Sequence, residues 1–72
     1  MPMTVTFTEE RTERECVYGP FLETHIVNEH LWAVDNDDAY VLAEYDTDEE
    51  CWRVFDSNVI ANRYYRVTVK SL

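Results

Sequence analysis

The sequence predicts a small, mainly β domain. Five to six short antiparallel strands form a meander over one domain, residues 1–72, that bends into a sheet or a small barrel. Three observations lead there. Short apolar runs rich in β-formers stand at Leu31-Trp32-Ala33-Val34, Tyr40-Val41-Leu42-Ala43-Glu44-Tyr45 and Trp52-Arg53-Val54-Phe55. Turn-like segments, Asp35-Asn36-Asp37-Asp38 and Asp46-Thr47-Asp48-Glu49-Glu50, separate them. Strict alternation marks both chain ends: Thr4, Thr6 and Thr8 against Val5 and Phe7, and Tyr65, Val67 and Val69 against Tyr64, Arg66, Thr68 and Lys70.

The elements follow in order. Residues 3–8 read as a half-buried strand. Residues 9–18 read equally as a strand pairing back on 3–8 or as one short helix, since Glu10 and Arg14 form an i,i+4 pair but the stretch offers no apolar face before Cys16 and Val17. Gly19-Pro20 reads as a turn, after which 21–27 is a strand. Ser57–Asn62 reads as a connector with one helical turn around Val59-Ile60, leading to a last strand over 64–70.

The turns set the registers expected of the middle strands. A two-residue turn at Asn36-Asp37 pairs Trp32 with Val41 and Leu31 with Leu42. A four-residue loop at Thr47–Glu50 pairs Tyr45 with Trp52, Glu44 with Arg53 and Ala43 with Val54. One face then collects Trp32, Val34, Val41, Ala43, Tyr45, Trp52 and Val54 as the core. The other carries Leu31, Ala33, Tyr40, Leu42 and Phe55, too apolar to lie open to water, so other strands, a helix or a partner must cover it.

Size and composition exclude several functions. The 46% hydrophobic content excludes a disordered chain, and ten aromatics supply apolar area to a core limited by 72 residues. A single glycine cannot build a phosphate-cradling loop. Fifteen acids against six Lys and Arg, net charge −9, argue against direct contact with nucleic acid or anionic membranes. Met1-Pro2-Met3-Thr4 lacks the pattern of a signal peptide, and no apolar run is long enough to span a bilayer. The expectation is a cytoplasmic protein with Cys16 and Cys51 reduced.

Candidate chemistry is sparse. Cys16, His25, His30 and Cys51 have the residue types of a zinc site without its spacing, and the two histidines would point to opposite faces of one strand. Asp46, Asp48 and Glu50 match the first, third and fifth positions of a calcium loop, but Cys51 and Ser57 stand where Gly and Glu are required. A cysteine–histidine nucleophile or a carboxylate pair would need a cleft that a chain this short hardly affords. Arg66 and Lys70 beside Tyr64 are a weak footprint for nucleic-acid stacking. The expectation is no enzyme, no cofactor and no metal.

The charge distribution is the informative feature. Residues 35–50 carry Asp35, Asp37, Asp38, Glu44, Asp46, Asp48, Glu49 and Glu50 and no basic residue. Acids two apart on a strand face lie ~6.8 Å from each other, broadly the separation of neighbouring phosphates. Such a surface competes for a Lys/Arg groove and associates quickly by steering. In type, this short, acidic, aromatic-rich chain resembles small inhibitors and accessory proteins of phages and mobile elements, some of which mimic nucleic acid. That profile implies an inhibitor of a basic host or defence protein, bound through these eight acids with Tyr40 and Phe55 as anchors. A homodimer through the second apolar face, without inhibitory role, is the alternative.

Overall fold

The computed structural model describes residues 2–36, 38–56 and 63–72. These form seven strands and no helix: β1 (Met3–Thr8), β2 (Glu15–Phe21), β3 (Glu23–Val27), β4 (His30–Val34), β5 (Ala39–Asp46), β6 (Cys51–Val54) and β7 (Arg66–Ser71). Two antiparallel sheets result, one in the order β2-β1-β7 and the other β3-β4-β5-β6. The bent, all-β arrangement is the expected class. It is not a closed barrel, and it has seven strands rather than five or six.

Both sheets face one core. Val5 and Phe7 of the central strand β1 are fully buried and meet Leu31, Ala33, Leu42, Ala43, Trp52, Val54 and Tyr64 from the second sheet and its flank. The alternation in β1 thus sends its apolar residues inward, as the sequence suggests. The apolar face built around Leu31, Ala33 and Leu42 is covered by the chain's own first sheet.

At the start of the chain the strand alternative for residues 9–18 holds from Glu15, where β2 pairs back on β1. Residues 9–14 are a turn, not a helix, and β2 begins at Glu15. The turn closes on itself: Glu13 N–H donates to the Glu9 carbonyl and Glu9 N–H to the Arg14 carbonyl, each at 2.9 Å. Without an apolar stripe, a helix here would have nothing to bury. Gly19-Pro20 is not the turn between strands but lies within β2. There the register on β1 shifts between Met3 and Val5, and Gly19 holds φ +124°. A Cβ at Gly19 would stand 2.8 Å from the Met3 carbonyl oxygen, so only glycine fits. Between β2 and β3 the chain passes from one sheet to the other through a single residue, Leu22, and it returns between β6 and β7.

The hairpin registers are close to those expected. Trp32 pairs with Val41, and Tyr45, Glu44 and Ala43 pair with Trp52, Arg53 and Val54. Leu31, however, pairs with Ala43 and not Leu42, because the ladder shifts between Leu31 and Trp32. The extra residue, Leu42, lies on β5 and switches that strand's inward face there, while β4 alternates regularly with the face opposite to the expected one turned to the core. Leu31 and Ala33 are buried and Trp32 is 38% exposed, while Leu42 and Ala43 are both buried. Trp52 and Val54 keep the core positions assigned to them. At the other end, Tyr64 is buried and Tyr65 exposed, the reverse of the alternation read from sequence. Tyr64 is not in β7 but bridges back to Trp52, and the chain bends at Tyr65 before the strand starts. The connector at residues 57–62 lies outside the described residues.

Candidate functional site

The acidic turn after β5 is organised by its first residue. Asp46 Oδ1 accepts the N–H groups of Asp48 and Glu49 at 3.0 and 3.1 Å, and Oδ2 accepts Arg53 Nε at 3.4 Å. The Glu49 N–H foremost, then Arg53 and the Asp48 N–H, hold the Asp46 carboxyl below its ordinary value against a smaller opposing cost of desolvation. Asp46 is therefore a structural cap, its carboxylate committed to holding the turn and Arg53. Beyond the cap, Asp48, Glu49 and Glu50 are exposed, and Glu50 closes the four-residue loop at φ 55°.

Glu44 faces the same side of β5 as Asp46 and lies between His30 and Arg53, its ladder partners. Its carboxylate stands 3.7 Å from His30 Nε2. His25 and His30 do not share a strand. They sit on β3 and β4, opposite Trp32 and Val27, which puts both on one sheet face rather than on opposite faces. His25 Nε2 lies 3.6 Å from its own strand's Glu23. Cys16 and Cys51 are free thiols. Among the described residues no three His, Cys, Asp or Glu side chains gather as a metal would require.

The second acidic turn lies elsewhere. Asp35 N–H donates to the Asp38 carbonyl at 2.7 Å, and the Asp35 carboxylate accepts the Asn36 N–H at 3.0 Å. Asp37 is outside the described residues. Asp35 and Asn36 border a shallow recess with Pro2, Pro20, Phe21 and Leu22. Strand β5 separates this turn from Asp46 by ~24 Å. The seven described acids of residues 35–50 thus form two groups, not one surface. Tyr40 is 39% exposed and meets Phe21 edge-on at 6.3 Å, whereas Phe55 is 57% exposed.

What the structure adds is a junction between the 46–50 turn and the 9–14 turn. Arg63 Nη1 donates to Glu49 at 3.0 Å and Nη2 to the Tyr65 hydroxyl at 3.4 Å. Tyr65 N–H in turn donates to the Thr8 carbonyl at 3.0 Å, just before Glu9. Glu9, Glu10, Arg11, Arg63 and Tyr65 line an open recess of about 380 Å³. The β3–β4 turn joins the same end, since Tyr45 N–H donates to the Glu29 carbonyl at 2.7 Å. Exposed Glu10, Glu13, Glu29, Asp48, Glu49 and Glu50 therefore gather at one end. Comparison with protein families, curated proteins and solved structures finds no match for this chain.

Sequence reading allows Glu9 and Glu10 to join the 46–50 acids without placing them there, and it misses Arg63 and Tyr65 as parts of this end. The pairing of β1 with β7 brings them together, and no local pattern in the chain announces it. The basic residues of the last strand have a plain role: β7 is an edge strand, and exposed Arg66 and Lys70 share a recess with Glu13 and Glu15. Tyr64 is buried and offers no stacking surface. No helix among the described residues is long and apolar enough to cross a membrane.

Proposed function

We propose that this protein is an acidic protein-binding inhibitor that occupies a basic, nucleic-acid-binding surface on a partner protein. The observation supporting this reading is the convergence of three turns, 9–14, 28–29 and 46–50, which projects exposed carboxylates from one end of a rigid β framework. Asp46 fixes the spacing of the outermost group through two backbone hydrogen bonds. A fixed array of anions attracts a Lys/Arg groove over a Debye length of ~8–10 Å at physiological salt and raises the on-rate more than the final affinity. Tyr65, 41% exposed and lining a recess with Glu9 and Glu10, supplies aromatic area beside the charge, and Phe55, 57% exposed, lies at the other end of β6. A protein of this kind would be carried by a phage or mobile element and act on a host or defence protein.

The test is capture from a bacterial lysate on the immobilised protein, followed by identification of what binds. The reading expects a basic nucleic-acid-binding protein that duplex DNA or RNA displaces and that high salt releases. Captured proteins that neither nucleic acid nor salt displaces would overturn it.

A further inference from the structure

The four sheet edges are not equally protected. Edge strand β7 carries exposed Arg66 and Lys70, and β2 carries Pro20 and a shifted register. Strand β6 has only four residues, and Tyr64 pairs with Trp52 along it. Charges, proline, bulges and shortness are the devices that keep an edge from pairing with another chain. Strand β3 has no Lys, Arg or Pro, and its ladder on β4 runs without a shift. Four of its five residues are exposed, with Ile26 and Val27 at 55% and 52%; Leu22, the bend just before it whose N–H donates to the Val34 carbonyl, is 52% exposed.

The segment Leu22-Glu23-Thr24-His25-Ile26 is complementary to itself when run antiparallel about Thr24. Leu22 then faces Ile26 of a second copy, Glu23 faces its His25, and Thr24 faces Thr24. The two-fold axis repeats each unlike pair, giving two apolar contacts and two carboxylate–imidazole contacts. Directly opposed residues of these kinds are the favourable cross-strand pairs, and a surface that meets itself this way is the isologous contact of a two-fold dimer.

We propose that β3 pairs with β3 of a second copy of this chain, centred on Thr24, to form a continuous eight-stranded sheet. This surface runs along β3, whose last residue leads into the 28–29 turn, but its pairing uses none of the carboxylates of the acidic end and does not depend on that end's function. Five residues a side make a small, weak interface. Two chains of net charge −9 repel, so the dimer tightens as salt rises through ~0.5 M, where the Debye length is below ~8 Å.

Sedimentation equilibrium of the whole chain over a range of concentrations tests this. The parent is expected to show monomer–dimer exchange that strengthens with salt. Ile26→Lys is expected to abolish the dimer with the melting temperature of the monomer retained. His25→Glu sets like charges opposite and should weaken it about two- to thirtyfold, and the exchange Glu23→His with His25→Glu should restore it. Thr24→Cys should form a disulfide-linked dimer under oxidation that the parent, with Cys16 and Cys51 only, does not. A parent monomeric at all concentrations and salts overturns the proposal. So does a dimer indifferent to Ile26→Lys, or a monomer whose β3 edge is protected only by an added extended peptide. Failure of the exchange variant to restore a dimer weakened by His25→Glu overturns the Thr24-centred register.

Discussion

Cys16 Sγ and the Tyr64 hydroxyl lie 3.0 Å apart across 48 residues of sequence. Cys16 belongs to β2, while Tyr64 exchanges backbone hydrogen bonds with Trp52, N–H to carbonyl at 2.6 and 3.1 Å. The contact therefore ties an edge strand of one sheet to an edge strand of the other. Tyr18, two residues along β2, makes a parallel tie by donating its hydroxyl to Asp56 at 3.0 Å. The Phe7 ring stands 5.8 Å from both tyrosines and fills the space between them.

These ties predict loss of stability in alkali. Burial first, then the bond to Asp56, pushes Tyr18 from 10.0 up to about 12, and burial with the Cys16 contact pushes Tyr64 up as well. A raised folded-state value means the contribution is whole below the unfolded value and is lost as pH rises through the folded one. Melting temperature should hold to about pH 10 and fall between about pH 10 and 12. Tyr18→Phe should melt lower at neutral pH but decline less steeply over that window. A parent with a flat profile through it would contradict the assignment.

Trp52 packs edge-on against Tyr45 at 5.3 Å and is 9% exposed. Trp52→Ala should cost ~3–5 kcal/mol, most of what a domain stabilised by ~0.05–0.15 kcal/mol per residue possesses. Phe55→Ser, at a position 57% exposed, should stay within ~0.5 kcal/mol. Urea titration of both variants measures the contrast. A cooperative Trp52→Ala transition near the parent's midpoint would place Trp52 outside the core.

Gly19→Ala isolates a backbone constraint. Its φ of +124° and the 2.8 Å approach of a Cβ to the Met3 carbonyl oxygen leave the new methyl no room except by moving β1. The expected loss is ~1–3 kcal/mol, read from the same urea titration. A neutral or stabilising effect would mean that β2 relaxes freely there.

These residues show what the chain discloses before it folds. The hairpin from Tyr45 to Trp52 was legible because a four-residue loop leaves one register, and alternation in Val5 and Phe7 named their face. The hairpin from Leu31 to Ala43 was legible in pairing but not in facing, because the extra residue at Leu42 leaves no mark on composition. Tyr64 and Tyr65 were read in reverse for a related reason: alternation applies only inside a ladder, and the ladder begins at Arg66. Gly19-Pro20 carried turn chemistry, yet the close approach of Met3 used the glycine inside a strand. The acidic turns were legible as turns. That Glu49 meets Arg63 and nears Glu9 was not, since it depends on the pairing of β1 with β7.

Asp46 should betray its capping role in acid. Its carboxyl is held below the ordinary value chiefly by the Glu49 N–H, so its contribution is present above the unfolded carboxylate value and lost as pH falls through the folded one. Asp46→Ala should melt below the parent at neutral pH, and the gap should close on acidification. A gap constant from neutral to strongly acid pH would show that packing, not the charged cap, is what the substitution removes.

The final prediction separates this cap from partner binding. Asp48→Asn, Glu49→Gln and Glu50→Gln together, with Asp46 intact, remove three exposed charges but keep the two N–H bonds that shape the turn, since both run from backbone to Asp46. One ion pair is lost, Glu49 with Arg63, and both side chains are about half exposed, so solvent screening leaves its loss a small cost. Relief of like-charge crowding offsets part of it. The triple variant should therefore melt close to the parent. Its association with the captured partner should slow, and the salt dependence of the on-rate should flatten, because steering acts on encounter. Asp35→Asn with Asp38→Asn, ~24 Å away along β5, should leave that rate within about twofold. Equal on-rates for parent and triple variant at ~0.05–0.15 M salt, where charges still act over ~8–14 Å, would show that these carboxylates serve solvation alone.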